Sequence, residues 1–249
     1  MANADSAAAH CGVTIFVSIA AYRDPELLPA IADCLAKARH PEQLRFGLCW
    51  QRGSDEPALP VATDPRVRIL DVDWRDSGGA CWARAAAMSL WQGEDYFLQI
   101  DSHERFAQDR DVKLTDYVLS APGAKPLLTS YPATYRGGQE ESRGHTPSRV
   151  AFHYLTTEGI RVFKPVAMPP AGCDGRLYRA RFVAAGFLFT SGRFADEVPY
   201  DPELYFLGEE ISLSVRAYTS GYDLFHPPEV LAWHEYTRAG KAEALGRPR

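Results

Sequence analysis

Apolar and polar positions alternate in blocks through the first half of the chain. Residues 13–20 (VTIFVSIA) form a short apolar run, rich in β-branched side chains, that ends at the polar turn AYRDPE. A run of this length between turn signals predicts a buried parallel strand. Asp24-Pro25 then predicts a helix start, with Asp24 as the cap and Pro25 in the first turn. Leu27, Leu28, Ile31, Leu35 and Ala38 follow at helical spacing, although Pro29 falls late for a helix start. Residues 45–50 (RFGLCW), 67–72 (VRILDV) and 95–100 (DYFLQI) predict three further strands. The Ala-rich segment 79–90 predicts a helix after the Gly78-Gly79 turn. Strands alternating with helices imply an α/β domain with a largely parallel sheet. In such sheets ligands gather beyond the carboxyl ends of the strands. The AYRD turn, the turn at 73–79 and Asp101-Ser102-His103 all lie at such ends.

The second half is less regular. Residues 133–148 (ATYRGGQEESRGHTPS) predict a surface loop, and 165–175 a second irregular stretch. Strand character returns at 181–189 (RFVAAGFLF). Residues 208–220 predict a helix, with Ile211, Val215 and Tyr218 on one face and Gly221 just past its end. YDLF and VLAWH predict a closing strand pair. No internal repeat or boundary divides the chain. The expected organisation is one domain over residues 13–238, with tails at 1–12 and 239–249.

Composition narrows the function. The 249 residues are 46% hydrophobic and 24% charged, a balance typical of a globular domain with a substantial core. With 27 Lys+Arg against 32 Asp+Glu, the net charge is −5. A surplus of acid argues against holding nucleic acid or an anionic membrane by bulk charge. No stretch approaches the roughly 18 uninterrupted apolar residues of a membrane span. The start, MANADSAAAHCG, lacks the basic and apolar regions of a secretory signal, so a cytoplasmic setting is expected. The five cysteines, Cys11, Cys34, Cys49, Cys81 and Cys173, are scattered without a C-x-x-C pair. Buried reduced thiols are expected rather than a zinc cage or a disulfide framework.

Three local signals carry candidate chemistry. Asp101 and His103, two apart just past a strand, offer a carboxylate oxygen and an imidazole nitrogen, a set that suits Mn²⁺. His234, at the end of another apolar run, offers a distant third ligand. Read alone, the first two more readily describe a turn-capping acid beside a surface His, and His234 a half-buried His bonded to backbone. Glu209 and Glu210 open the helix at FLGEEIS, where acids either complement the helix dipole or face a substrate hydroxyl. In GGACWAR, Gly79 permits close backbone approach and Arg84 can reach a diphosphate or ribose, or else is an exposed helix charge. No Rossmann G-x-G-x-x-G, P-loop or G-x-S-x-G elbow is present.

Taken together these segments resemble a family, over residues 14–234. EDYFLQIDSHERF is similar to the strand and DXD-like metal motif of glycosyltransferases of the GT-A fold, whose central, mostly parallel sheet is flanked by helices. SIAAYRDPEL, CWAR, LQIDSH, AAGFLF, EVPYDP, FLGEEISLSVRAYTSGYD and WHEY resemble the GlcNAc family of cytoplasmic polypeptide N-acetylglucosaminyltransferases, which act on hydroxyproline. The mucin-type polypeptide N-acetylgalactosaminyltransferases are a more distant likeness. They carry Trp before the Gly-Glu stretch, where this chain has Phe206-Leu207.

The resemblance implies Asp101, His103 and His234 as ligands of Mn²⁺ or Mg²⁺. It implies Gly79, Arg84, Ser102, Ala185 and Gly186 on the donor side, and Ala20, Tyr22 and Arg23 near the nucleotide. Glu209 and Glu210 would face sugar and acceptor. The implied activity is metal-dependent transfer of a sugar, GlcNAc first, from a UDP-sugar to an acceptor hydroxyl with retention of configuration. Protein, peptide, glycan and small-molecule acceptors all stay open. Two other readings use the same residues: a metal-dependent phosphodiester or pyrophosphate hydrolase, and a non-catalytic module that binds sugar nucleotides.

Overall fold

A computed structural model describes residues 12–137, 139, 142–169 and 175–236. The expected tails, apart from Gly12, lie outside the described residues, as do Cys11 and Cys173 and part of each irregular stretch.

The main sheet has eight strands in the order β10-β12-β6-β11-β4-β1-β2-β3. Its parallel half comprises β1 (Ile15–Tyr22), β2 (Leu44–Arg52), β3 (Val67–Asp73) and β4 (Tyr96–Asp101). The rest is mixed: β11 (Phe187–Ser191) runs antiparallel to β4 and to β6 (Pro126–Thr129), and β12 (Asp223–His226) lies parallel to β6. The two-residue β10 (Tyr178–Arg179) forms the edge. A second sheet, β5-β13-β7, joins Glu104–Phe106, Ala232–Glu235 and Ala133–Tyr135. A hairpin of β8 (Ser148–Leu155) and β9 (Arg161–Ala167) completes the strands.

Helices cover both faces, as a buried parallel sheet requires. Along β1, Ile15, Val17 and Ile19 face one core with Leu27, Ile31 and Cys34 of α1 (Leu27–Ala36) and Leu114 of α3 (Arg110–Ser120). Phe16 faces the opposite core with Cys81 and Met88 of α2 (Ala80–Met88). Phe194 of the short α4 (Phe194–Glu197) and Leu213 and Ala217 of α5 (Glu209–Thr219) share that core. Phe16 is fully buried, so truncating it to Ala would cost about 3–5 kcal/mol. Gly47 of β2 makes room for it: a Cβ there would lie 2.3 Å from the Phe16 ring. Cys34, Cys49 and Cys81 are buried free thiols, and burial pushes them up to about 11, 11 and 12.

The structure corrects several expectations. Pro29 sits inside α1, but at its third residue, where an amide N–H would have no intrahelical partner. Of the strand expected at 181–189, only 187–189 joins the sheet, and the strand continues two residues further to Ser191. The closing strands do not pair with each other: β12 joins the main sheet and β13 the small one. The face of α5 bearing Val215 and Tyr218 is turned to solvent, while Glu209, Leu213 and Ala217 point inward. The loop expected at 133–148 contains β7.

Candidate functional site

The site forms where β4 ends. Asp101 is its last residue, Ser102-His103 turn the chain, and Glu104 starts β5. β13 pairs antiparallel with β5 and sets His234 opposite Glu104. One ligand atom each of Asp101, His103 and His234 lies within 4.8 Å of the others. His234 Nε2 stands 3.2 Å from Asp101 Oδ2. Two cis ligands bound at about 2.1 Å in octahedral geometry are about 3 Å apart, so this spacing fits one divalent cation. The His103 and His234 rings meet edge to face at 4.3 Å between centroids.

Behind His103 lies Asp24, which the sequence presents only as a helix cap. It does serve the turn, its Oδ1 accepting the Glu26 N–H at 3.0 Å. Its Oδ2 accepts the Ser102 hydroxyl and faces His103 Nδ1 at 2.9 Å.

Arg84 rises from α2 into the same cluster. Its Nη2 donates to Asp101 Oδ1 and its Nη1 to Glu209 Oε2, each at 2.8 Å. The Cys81 thiol donates to the same Glu209 oxygen at 3.4 Å. Burial alone would push Asp101 up, but Arg84, His234 and His103 outweigh it and hold its carboxyl well below the usual range. For Arg84, burial works against the charge, and Glu209 and Asp101 overcome it and raise its pKa further. Glu104 is the opposite case. Burial, reinforced by Asp101, pushes it well above the usual carboxylate range, and its Oε2 has no hydrogen-bond partner among the described residues.

Glu210 ties α5 to the segment before β11. Its Oε1 accepts the Ala185 N–H at 3.1 Å and its Oε2 the Tyr131 hydroxyl at 2.6 Å, while burial raises its pKa. The Gln99 side chain donates to the Ala185 carbonyl and, at 2.7 Å, to Tyr200. These bonds bring Gly186 against Asp101, where a Cβ would stand 3.0 Å from Oδ2.

Ala20 is the register partner of Asp101 across β1 and β4. Tyr22 and Arg23 gather instead around Trp74, just beyond β3. The Tyr22 ring meets Trp74 edge-on at 6.4 Å, and the Arg23 and Arg75 guanidinium groups stand over it at 5.1 and 4.9 Å. Gly79 adopts φ 99° with Tyr205 packed against it, and the Ala80 N–H donates to the Tyr205 carbonyl at 2.8 Å. Two hydrogen-bonded groups, one of Asp101, His234, Arg84 and Glu209 and one of Ser102, His103 and Asp24, therefore meet at the His103–His234 ring contact, with Glu210, Ala185, Gly186 and Ala20 bordering them. Tyr22, Arg23 and Gly79 lie in neighbouring groups. Asp24, Glu104, Trp74, Gln99 and Tyr200 are additions. Of these, Glu104 had a signal in its place directly after His103, and Trp74 in its place at a strand end.

Comparison with known proteins adds to this geometry. The model of the family described as Glycosyltransferase (GlcNAc) matches residues 14–65 and 58–245. None of the curated proteins matches the sequence significantly. Among solved structures, that of GalNAc-T7 with UDP, GalNAc and Mn²⁺ is similar, with TM-score 0.68 and 16% identity over 90% of this chain and 44% of that one. So is S. aureus TarS in complex with UDP-GlcNAc, with TM-score 0.61 and 11% identity over 95% of this chain and 62% of that one. The chain spans less than two thirds of either, and at these identities the likeness is one of fold, the GT-A fold. Among the described residues, no helix is long and apolar enough to cross a membrane.

Proposed function

Since the chain belongs to the Glycosyltransferase (GlcNAc) family, we propose that it moves a sugar, GlcNAc first among candidates, from a UDP-sugar to an acceptor hydroxyl. The observation that carries this reading is the convergence of Asp101, His103 and His234 from β4, the turn after it and β13. Their donor set, one carboxylate and two imidazoles, suits a divalent transition cation such as Mn²⁺ better than Mg²⁺, which takes oxygen ligands. When bound, such a cation neutralises the negative charge that builds on a departing diphosphate.

The chain's own groups divide the remaining work. Arg84 holds the carboxylates of Asp101 and Glu209 in place and offsets their charge. Glu209 and Glu210 are each fixed by hydrogen bonds, which suits orienting sugar and acceptor hydroxyls better than attacking carbon. Ala185 and Gly186 leave space beside Asp101 for the sugar. Tyr22, Arg23 and Trp74 stand at the strand ends where a nucleotide would lie. Without a protein nucleophile, the acceptor attacks on the face that UDP leaves, and configuration is retained. The acceptor is a protein, peptide, glycan or small molecule, and the setting is cytoplasmic.

Incubation with a panel of UDP-sugars and Mn²⁺ tests the proposal by UDP release and by the mass of the acceptor adduct. Acceptor-dependent UDP release with a GlcNAc mass increment is expected. Acceptor-independent cleavage to UMP or a sugar phosphate would overturn it in favour of a hydrolase, and binding without turnover in favour of a binding module.

A further inference from the structure

Asp24 stands outside the residues given a role above. Its side chain is 1% exposed, and a carboxylate is buried at a cost unless its oxygens are bonded. If its task were only to begin α1, the bond from the Glu26 N–H to Oδ1 would serve. Oδ2 is used otherwise. It accepts the Ser102 hydroxyl and lies 2.9 Å from Nδ1 of His103, a residue 79 positions along the chain.

An ionised carboxylate only accepts hydrogen bonds, so the facing nitrogen must carry a proton. In a neutral imidazole that leaves the lone pair on Nε2. We infer that Asp24 is a positioning residue for the metal centre: it fixes the tautomer and ring plane of His103 so that Nε2 serves as the ligand. Ser102 holds the same carboxylate oxygen, and the His234 ring, edge to face with His103, limits rotation from the other side. Carboxylate partners of this kind also raise the basicity of a ligating imidazole. The inference rests on His103 being a metal ligand, as proposed above.

Asp24→Asn is the informative variant. Its amide oxygen keeps the bond to the Glu26 N–H, which turns the amide NH₂ toward His103 Nδ1. A donor there drives the imidazole proton to Nε2, the wrong tautomer for ligation. Long-range ¹H–¹⁵N spectra of the metal-free full chain report the tautomer directly, with His103 assigned by its loss in His103→Asn. Mn²⁺ affinity follows from the electron paramagnetic resonance of the free ion, and melting temperature monitors folding. The Nδ1–H tautomer is expected in the wild type and the Nε2–H tautomer in Asp24→Asn, with Mn²⁺ affinity about 10- to 100-fold weaker. A wild-type Nε2–H tautomer overturns the inference even if the variant does not fold. So does an unchanged Mn²⁺ affinity in folded Asp24→Asn. Wild-type protein that binds no Mn²⁺ overturns the metal assignment itself, whereas Mn²⁺ binding indifferent to Asp24 overturns only the role of Asp24.

Discussion

Arg84 and Glu209, 125 positions apart in the chain, meet at 2.8 Å in a nearly water-free setting, with side chains 10% and 8% exposed. The second arm of the guanidinium holds Asp101. Removing one member of a buried ionic group leaves the others uncompensated, which typically costs 3–5 kcal/mol. Arg84→Ala should therefore lower stability by roughly that amount, and Arg84→Lys by less, because a single ammonium cannot fork between two carboxylates. Urea unfolding of both variants checks this. A loss below about 1 kcal/mol in Arg84→Ala would mean that the guanidinium matters chiefly to the donor.

Removal of metal is expected to stop transfer. Asp101→Ala, His103→Ala and His234→Ala should each abolish Mn²⁺-stimulated UDP release, and the wild type should lose it in EDTA and regain it with added Mn²⁺. Assays of UDP release over a Mn²⁺ titration measure both effects. Full wild-type activity in EDTA contradicts any role for the cation.

Glu209→Gln and Glu210→Gln should impair turnover more than nucleotide binding. Loss of alignment at the reacting atoms appears in the transition state, and a factor of about 100 in turnover is expected. Glu210→Gln keeps an acceptor for the Ala185 N–H and a partner for Tyr131, so its fold should persist. Normal turnover with a lowered melting temperature would return these acids to a purely structural role.

Gly186→Ala places a methyl group 3.0 Å from Asp101 Oδ2, tighter than ordinary contact. The carboxylate must shift, so Mn²⁺ affinity should fall by about tenfold, in line with other disturbances around metal ligands. Calorimetric titration with Mn²⁺ and a melting curve on the same sample separate this local effect from general destabilisation. Wild-type affinity would show that Asp101 has room to move.

His226 gives the fold a definite pH response. Its Nδ1 pairs with the Thr129 carbonyl at 2.6 Å, and its Nε2 accepts the Val150 N–H at 3.3 Å. Burial lowers its pKa to about 4 from an ordinary 6.5. The folded state thus binds fewer protons than the unfolded one, so the stability is present above pH 6.5 and drains as pH falls toward 4. Between pH 7.5 and 5.5 the loss is about 1.4 kcal/mol from this group. Urea unfolding at both pH values, compared with His226→Gln, should show that difference shrinking in the variant.

The parallel half of the sheet was legible because β1 to β4 are apolar runs flanked by turn residues, and their ends mark where Asp101 and His103 lie. The small sheet was not. β5 and β7 are three-residue strands in polar sequence, and they exist because β13 lies between them. VLAWH and YDLF look like natural partners by proximity, yet each finds better pairing elsewhere. The rotation of α5 was hidden for a similar reason. Glu209 must reach Arg84, and that requirement overrides the apolar face of Val215 and Tyr218. Asp24, expected as the cap, instead braces the turn two residues before the N-cap Glu26, and it was illegible as a partner of His103, since nothing local connects them.

The placement of His234 on β13 bears on synthesis. It joins Asp101 across 133 positions, from the last described strand. A chain emerging from the ribosome can begin pairing β1 with β2 early, because their residues lie close in sequence. The grouping of Asp101, His103 and His234 waits until β13 is free of the exit tunnel and has docked between β5 and β7. Nascent and truncated chains lacking that strand would carry only Asp101 and His103 of the three, so on the proposed reading a polypeptide still being synthesised would be silent toward sugar nucleotides.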